Sequence, residues 1–111
     1  MGILTYAGRT YELEDRLLAH LKIAIAAKLR LGQGFLLSWP VPGDQSSGRV
    51  SLWLSPGTPL AFEFRGSKPP ELNRVWLQAL ERSSQGLRGM TVMPEQDASE
   101  YLEAAGGATA P

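Results

Sequence analysis

The sequence predicts a two-layer α+β domain, a single antiparallel sheet with two helices on one face, in the order ββαβββαβ. Three observations carry that expectation. Two segments, Asp15 to Leu31 and Pro70 to Ser84, repeat apolar residues at helical spacing. Six short segments are rich in aromatic, β-branched and aliphatic residues and are bounded by Gly, Pro and Ser. Each helix has one apolar stripe, so both can cover the same side of one sheet.

The elements follow in order. Ile3 to Tyr6 and Thr10 to Leu13 flank Ala7-Gly8-Arg9 and read as a hairpin. Asp15 can cap the first helix, Lys28 and Arg30 suit its last turn, and Gly32 can close it. Leu17, Leu18, Leu21, Ile25 and Leu29 form its stripe, with Ile23 off it beside Ala19, Ala26 and Ala27. That second apolar face is a candidate protein interface, centred on Ile23, Ala19 and Ala26. Phe35 to Trp39, Arg49 to Leu54 and Leu60 to Phe64 read as a three-stranded antiparallel meander. The loop Pro40 to Gly48 joins the first pair, and Ser55-Pro56-Gly57-Thr58-Pro59 the second. The second helix has Pro70 as a first position and Asn73 as a competing N-cap. Met90 to Met93 is a last short strand. Residues 1–93 form the domain, and 94–111 read as a flexible acidic tail ending Ala-Ala-Gly-Gly-Ala-Thr-Ala-Pro.

Composition narrows the function classes. With 111 residues, 43% of them hydrophobic, the chain suffices for one domain without disulfide help. It has no Cys and one His, His20, so no thiolate zinc site, Cys nucleophile or His-rich metal centre is available. Neither a metal nor a cofactor is implied. The 11 basic and 11 acidic residues cancel overall, but Glu95, Asp97, Glu100 and Glu103 lie in the tail. The body then carries 11 basic against 7 acidic residues, a net of +4. No apolar run approaches the ~20 residues of a membrane span, and the start lacks a basic region before an apolar stretch. A cytoplasmic location with no membrane contact is the expectation.

Alternation assigns the strand faces. Phe35, Leu37, Trp39, Val50, Leu52, Leu54, Leu60, Phe62 and Phe64 belong to the inner layer. Arg49, Trp53 and Arg65 fall on the outer face with Leu36, Ser38 and Ser51. Three readings of exposed Trp53 are open. It can close a cross-strand cluster, mark a dimer contact, or stack a base while the arginines meet phosphates. Lys68 and Arg74 flank the start of the second helix and extend the candidate contact set, although Pro69 and Pro70 remove two N–H donors there.

Catalytic motifs are missing. There is no phosphate-binding Gly-x-x-x-x-Gly-Lys loop, no dinucleotide fingerprint and no Gly-x-Ser-x-Gly elbow. His20 reads as a surface or boundary residue of the helix.

Several segments together resemble a known family. They are Asp15-Arg16-Leu17-Leu18-Ala19-His20-Leu21, Ala27-Lys28-Leu29-Arg30, Ser38-Trp39, Gly48-Arg49 through Trp53, Pro59-Leu60-Ala61-Phe62, and Gly66-Ser67-Lys68-Pro69-Pro70 leading to Asn73-Arg74-Val75-Trp76-Leu77. The set is similar to a small actinobacterial family of unknown function whose members often carry the label ATP-dependent DNA ligase. The label implies a lysine that accepts AMP within Lys-x-Asp-Gly. The lysines here stand in Lys22-Ile23-Ala24-Ile25, Lys28-Leu29-Arg30-Leu31 and Lys68-Pro69-Pro70-Glu71, and none has that motif. The expected function is a non-catalytic binding domain for a protein partner or a second copy. The alternative is a nucleic-acid accessory module related to ligation or repair.

Overall fold

Ala7 and Gly8 both adopt positive φ, 52° and 84°. This is the backbone that a two-residue hairpin turn needs to match strand twist. It joins β1 (Gly2–Tyr6) to β2 (Arg9–Leu13), with Ile3 opposite Glu12 and Thr5 opposite Thr10. Helix α1 (Asp15–Arg30) follows, with Glu14 rather than Asp15 at its N-cap. Asp15 lies in the first turn, and its Oδ2 accepts a hydrogen bond from the Gly66 N–H at 3.3 Å. The helix ends as expected at Gly32. The Gln33 N–H reaches the Lys28 carbonyl and the Gly32 N–H reaches the Leu29 carbonyl, at 3.2 and 2.9 Å.

A computed structural model describes residues 1–40 and 48–109, with side chains to residue 105. The loop expected between Pro40 and Gly48 lies, over residues 41–47, outside the described residues, as do the last two residues of the tail.

The single sheet is not what forms. Strands β3 (Phe35–Pro40), β4 (Arg49–Leu54), β5 (Leu60–Glu63) and β6 (Met90–Thr91) divide between two three-stranded sheets. One sheet has the order β2-β1-β5, the other β4-β3-β6. β3 and β4 pair antiparallel, with Leu37 opposite Leu52, as the meander requires. β5 instead joins β1, with Leu4 opposite Phe62 and Tyr6 opposite Leu60. The Thr58 N–H closes a turn onto the Ser55 carbonyl at 3.2 Å, with Pro56 and Gly57 between them. Pro56 holds φ negative, so this is not one of the primed turns of two-residue hairpins. The Pro59 carbonyl then takes the Ala7 N–H at 3.3 Å, which brings β5 alongside β1.

The second helix, α2 (Arg74–Ser83), begins after Asn73, whose side chain accepts from the Val75 and Trp76 N–H groups. The competing N-cap wins over Pro70, which lies outside the helix. β6 runs parallel to β3, with Ser38 beside Thr91. Gly89 makes this pairing possible. Its φ is 78°, and a Cβ there would stand 2.4 Å from the Leu36 carbonyl oxygen.

The span read as a tail carries regular structure. A short 3-10 turn at Glu95–Asp97 leads into α3 (Ala98–Thr109), a third helix that packs on α2. Ala98 is buried, and Tyr101 and Leu102 are partly buried against the core. The acidic residues Glu100 and Glu103 stay exposed on its outside.

One core joins these parts. Leu18, Leu21 and Ile25 of α1 meet Trp76 and Leu80 of α2, Leu4 of one sheet and Phe35, Leu37 and Leu54 of the other. Tyr11 and Trp39 make an edge-to-face contact at 5.3 Å, so the two sheets touch through it. The inner faces follow the alternation of β3 and β4, while Leu60 and Phe62 belong to the other sheet and Phe64 follows it, packed against the core.

Candidate functional site

His20 is the first departure from expectation. It is fully buried, not a surface residue. Its Nε2 accepts the Asn73 backbone N–H at 2.8 Å, which assigns the ring hydrogen to Nδ1, 2.7 Å from the Arg16 carbonyl. The ring stacks at 4.4 Å on Trp76, whose indole N–H donates to the Met93 carbonyl. Both ring nitrogens therefore have structural partners.

The surrounding polar groups are engaged in the same way. Arg16 grips Glu95 with a two-pronged contact, Nε to Oε1 at 2.8 Å and Nη2 to Oε2 at 2.6 Å. Its Nη1 holds the Glu71 carbonyl, and the Asn73 amide donates to Glu95 Oε2 at 2.9 Å. The hydrogen bonds from Arg16 and then Asn73 hold the Glu95 carboxyl well below its usual range, at about 2. This lattice locks α1, the approach to α2 and the residues before α3 together. Among the described residues no cluster of His, Asp and Glu is arranged to hold a metal ion.

The open features lie elsewhere. One is a groove of about 330 Å³ between α1 and residues 64–72. Ala19, Ile23, Phe64 and Leu72 line it, with Lys22 and Lys68 bringing positive charge. Lys22 Nζ stands 5.6 Å from the Phe64 ring centroid. Ile23 is 41% and Leu72 50% exposed. Asp15 also lines the groove, but one of its oxygens already accepts the Gly66 N–H.

The second feature is the outer face of the β4-β3-β6 sheet. A hollow of about 540 Å³ there is lined by Ser38, Arg49, Ser51, Arg88 and Thr91, among others. The Ser38 and Ser51 hydroxyls bond each other at 2.8 Å. Trp53 stands four residues along β4 from Arg49, on the same face, and is 60% exposed.

The sequence-derived candidates are thus distributed over several places. Lys68 lines the groove, Arg49 the hollow, and Trp53 the same sheet face. Arg65 follows β5 of the other sheet, and Arg74 opens α2; both are exposed and line neither feature. Of the apolar trio, Ile23 is exposed, Ala19 is buried as part of the groove wall, and Ala26 is half-buried outside the lining. Sequence reasoning missed Lys22, Leu72 and Arg88. Lys22 and Leu72 carried a weak signal, as neighbours of Ile23 and of the Lys68 to Pro70 loop. Arg88 carried none, because only the parallel β3–β6 pairing brings it near Arg49.

A model of the family described as domain of unknown function (DUF7882) matches residues 1–95. The chain belongs to that family. The DUF7882 match ends at Glu95, the carboxylate that closes the Arg16–Asn73 lattice, and leaves α3 beyond it. The family description assigns no activity, and neither an actinobacterial source nor a ligase role follows from it. Neither the curated proteins nor the solved structures give a match. No described helix of this DUF7882 protein is long and apolar enough to cross a membrane.

Proposed function

We propose that this DUF7882 domain is a non-catalytic protein-binding module. Its groove between α1 and residues 64–72 receives an apolar, acidic segment of a partner protein. The observation that carries this reading is the exposure of Ile23 and Leu72 within one concave site that also holds two lysines. Large apolar side chains left open beside rim charges are a feature of interfaces. The lysines select carboxylates over cations at the edges of the bound segment.

Selection of peptides from a random library by the full chain tests the proposal. Recovered sequences combine Leu, Ile or Phe with Asp or Glu, and Ile23→Glu or Lys68→Glu abolishes their binding. Failure to enrich any peptide over the Ile23→Glu variant overturns the reading. So does sedimentation as a dimer that Ile23→Glu dissociates, since a second copy then fills the groove.

A further inference from the structure

The outer face of the β4-β3-β6 sheet carries an arrangement that the groove does not use. We infer that this face binds single-stranded nucleic acid, with a base stacked on Trp53 and backbone phosphates at Arg49 and Arg88. The charge of the hollow points to a polyanion. Among the described residues, the charged ones lining it are both arginines. Guanidinium forks match phosphate oxygens, and the Thr91 hydroxyl and the one hydrogen left over by the Ser38–Ser51 pair supply further donors.

Trp53 supplies what a phosphate site alone lacks. Its ring rests against Gly34, so close that a Cβ there would stand 2.9 Å from Cζ2. The indole is therefore braced from below and still 60% exposed. Such a ring is a stacking platform, and bases stack on it without regard to sequence. Spacing favours a strand over a mononucleotide. Arg49 and Trp53 lie roughly 13 Å apart along β4, and a nucleic-acid strand repeats base and phosphate along such a line. A duplex keeps its base faces inside its own stack, where Trp53 cannot reach them. An acidic peptide also meets the arginines but does not repeat an aromatic face along the chain to stack on the indole.

The test is titration of the full chain with an oligothymidylate about 12 nucleotides long, followed by tryptophan emission and by anisotropy of an end-labelled strand. Trp39 also lines the hollow and Trp76 is buried, so the share of the quenching that is lost in Trp53→Phe reports Trp53. Two phosphate contacts give a slope of about −1.4 for log affinity against log salt. Arg49→Ala and Arg88→Ala each lower its magnitude by about 0.7. Trp53→Ala weakens binding roughly fivefold or more, and Trp53→Phe restores most of the loss. Arg65→Ala removes an equal charge from the other sheet and leaves the slope unchanged. The inference is overturned if anisotropy is flat at low salt, if Trp53→Ala binds like the parent, or if a blunt duplex of equal length binds as well. Ile23 and Lys68 take no part, so peptide selection at the groove and this titration succeed or fail separately.

Discussion

The Tyr6 hydroxyl donates a hydrogen bond to the Trp53 backbone carbonyl. Tyr6 belongs to the β2-β1-β5 sheet and Trp53 to the edge strand of the β4-β3-β6 sheet. The bond therefore spans the two sheets and satisfies an edge carbonyl that would otherwise be open to another strand. Because the acceptor is backbone, the Trp53 side chain stays free for the outer face. Tyr6→Phe keeps the buried ring and removes the link. The expected loss is about 1 kcal/mol, read as a lower urea midpoint with an unchanged slope. Trp53→Ala keeps the carbonyl, so the same measurement shows no loss from this bond.

The Arg16–Glu95 contact predicts an acid response. Glu95 titrates at about 2 in the folded chain, below its ordinary value of 4.5. A depressed carboxyl stabilises the fold above its unfolded value, and the contribution disappears as pH falls through the folded one. Urea midpoints of the parent and of Glu95→Gln should differ most above pH 5 and converge between about 4.5 and 2. A constant offset down to pH 2 would contradict the contact. High salt should also shrink the difference, because both groups are partly exposed.

The elements legible in the sequence are those fixed by neighbours in the chain. The Ala7-Gly8 turn, the Lys28-to-Gln33 helix stop and the alternation of β3 and β4 each depend on residues within a few positions. What escaped depends on distant pairings. β5 leaves β4 for β1, a pairing of Leu4 with Phe62 and of the Ala7 N–H with the Pro59 carbonyl that joins residues more than 50 positions apart. β6 falls within the short strand expected at Met90 to Met93, but its two residues carry no signal for the parallel pairing with β3. His20 looked like a boundary residue because its partner, the Asn73 N–H, lies 53 positions away. The tail did hold a readable signal. Ala98, Tyr101, Leu102 and Ala105 have helical spacing, masked by the Gly and Ala that follow. Of the candidate site, Ile23, Lys68, Arg49 and Trp53 were visible by residue type. That Lys68 joins Ile23 in a groove, apart from Arg49 and Trp53, was not, because it depends on two sheets rather than one.

The buried His20 ring makes a further prediction. His20→Phe preserves a ring against Trp76 and removes the acceptor of the Asn73 N–H. An unpaired buried donor costs about 1–3 kcal/mol, so the variant should lose that much in urea unfolding. Asn73→Ala removes the α2 cap and the amide bond to Glu95, a loss of about 1–2 kcal/mol. The two sites share one backbone hydrogen bond and one helix start, so the double variant should lose less than the sum. Strict additivity would show that the lattice does not act as a unit.

Helix α3 lies beyond the family match yet covers α2, which makes its removal informative. Truncation after Asp97 deletes the buried Ala98 and the half-buried Tyr101 and Leu102. It leaves Glu95 in the lattice with Arg16. Partial burial of two large side chains is worth about 2–3 kcal/mol in all, since full burial is worth about 1.5–3 kcal/mol each. The shortened chain should therefore fold, unfold cooperatively at a lower urea midpoint, and lose slow-exchanging amides first in α2. An unchanged midpoint would mean that α3 adds no net stability to the fold. Outright unfolding would mean that the DUF7882 span in this chain depends on α3 to close its core.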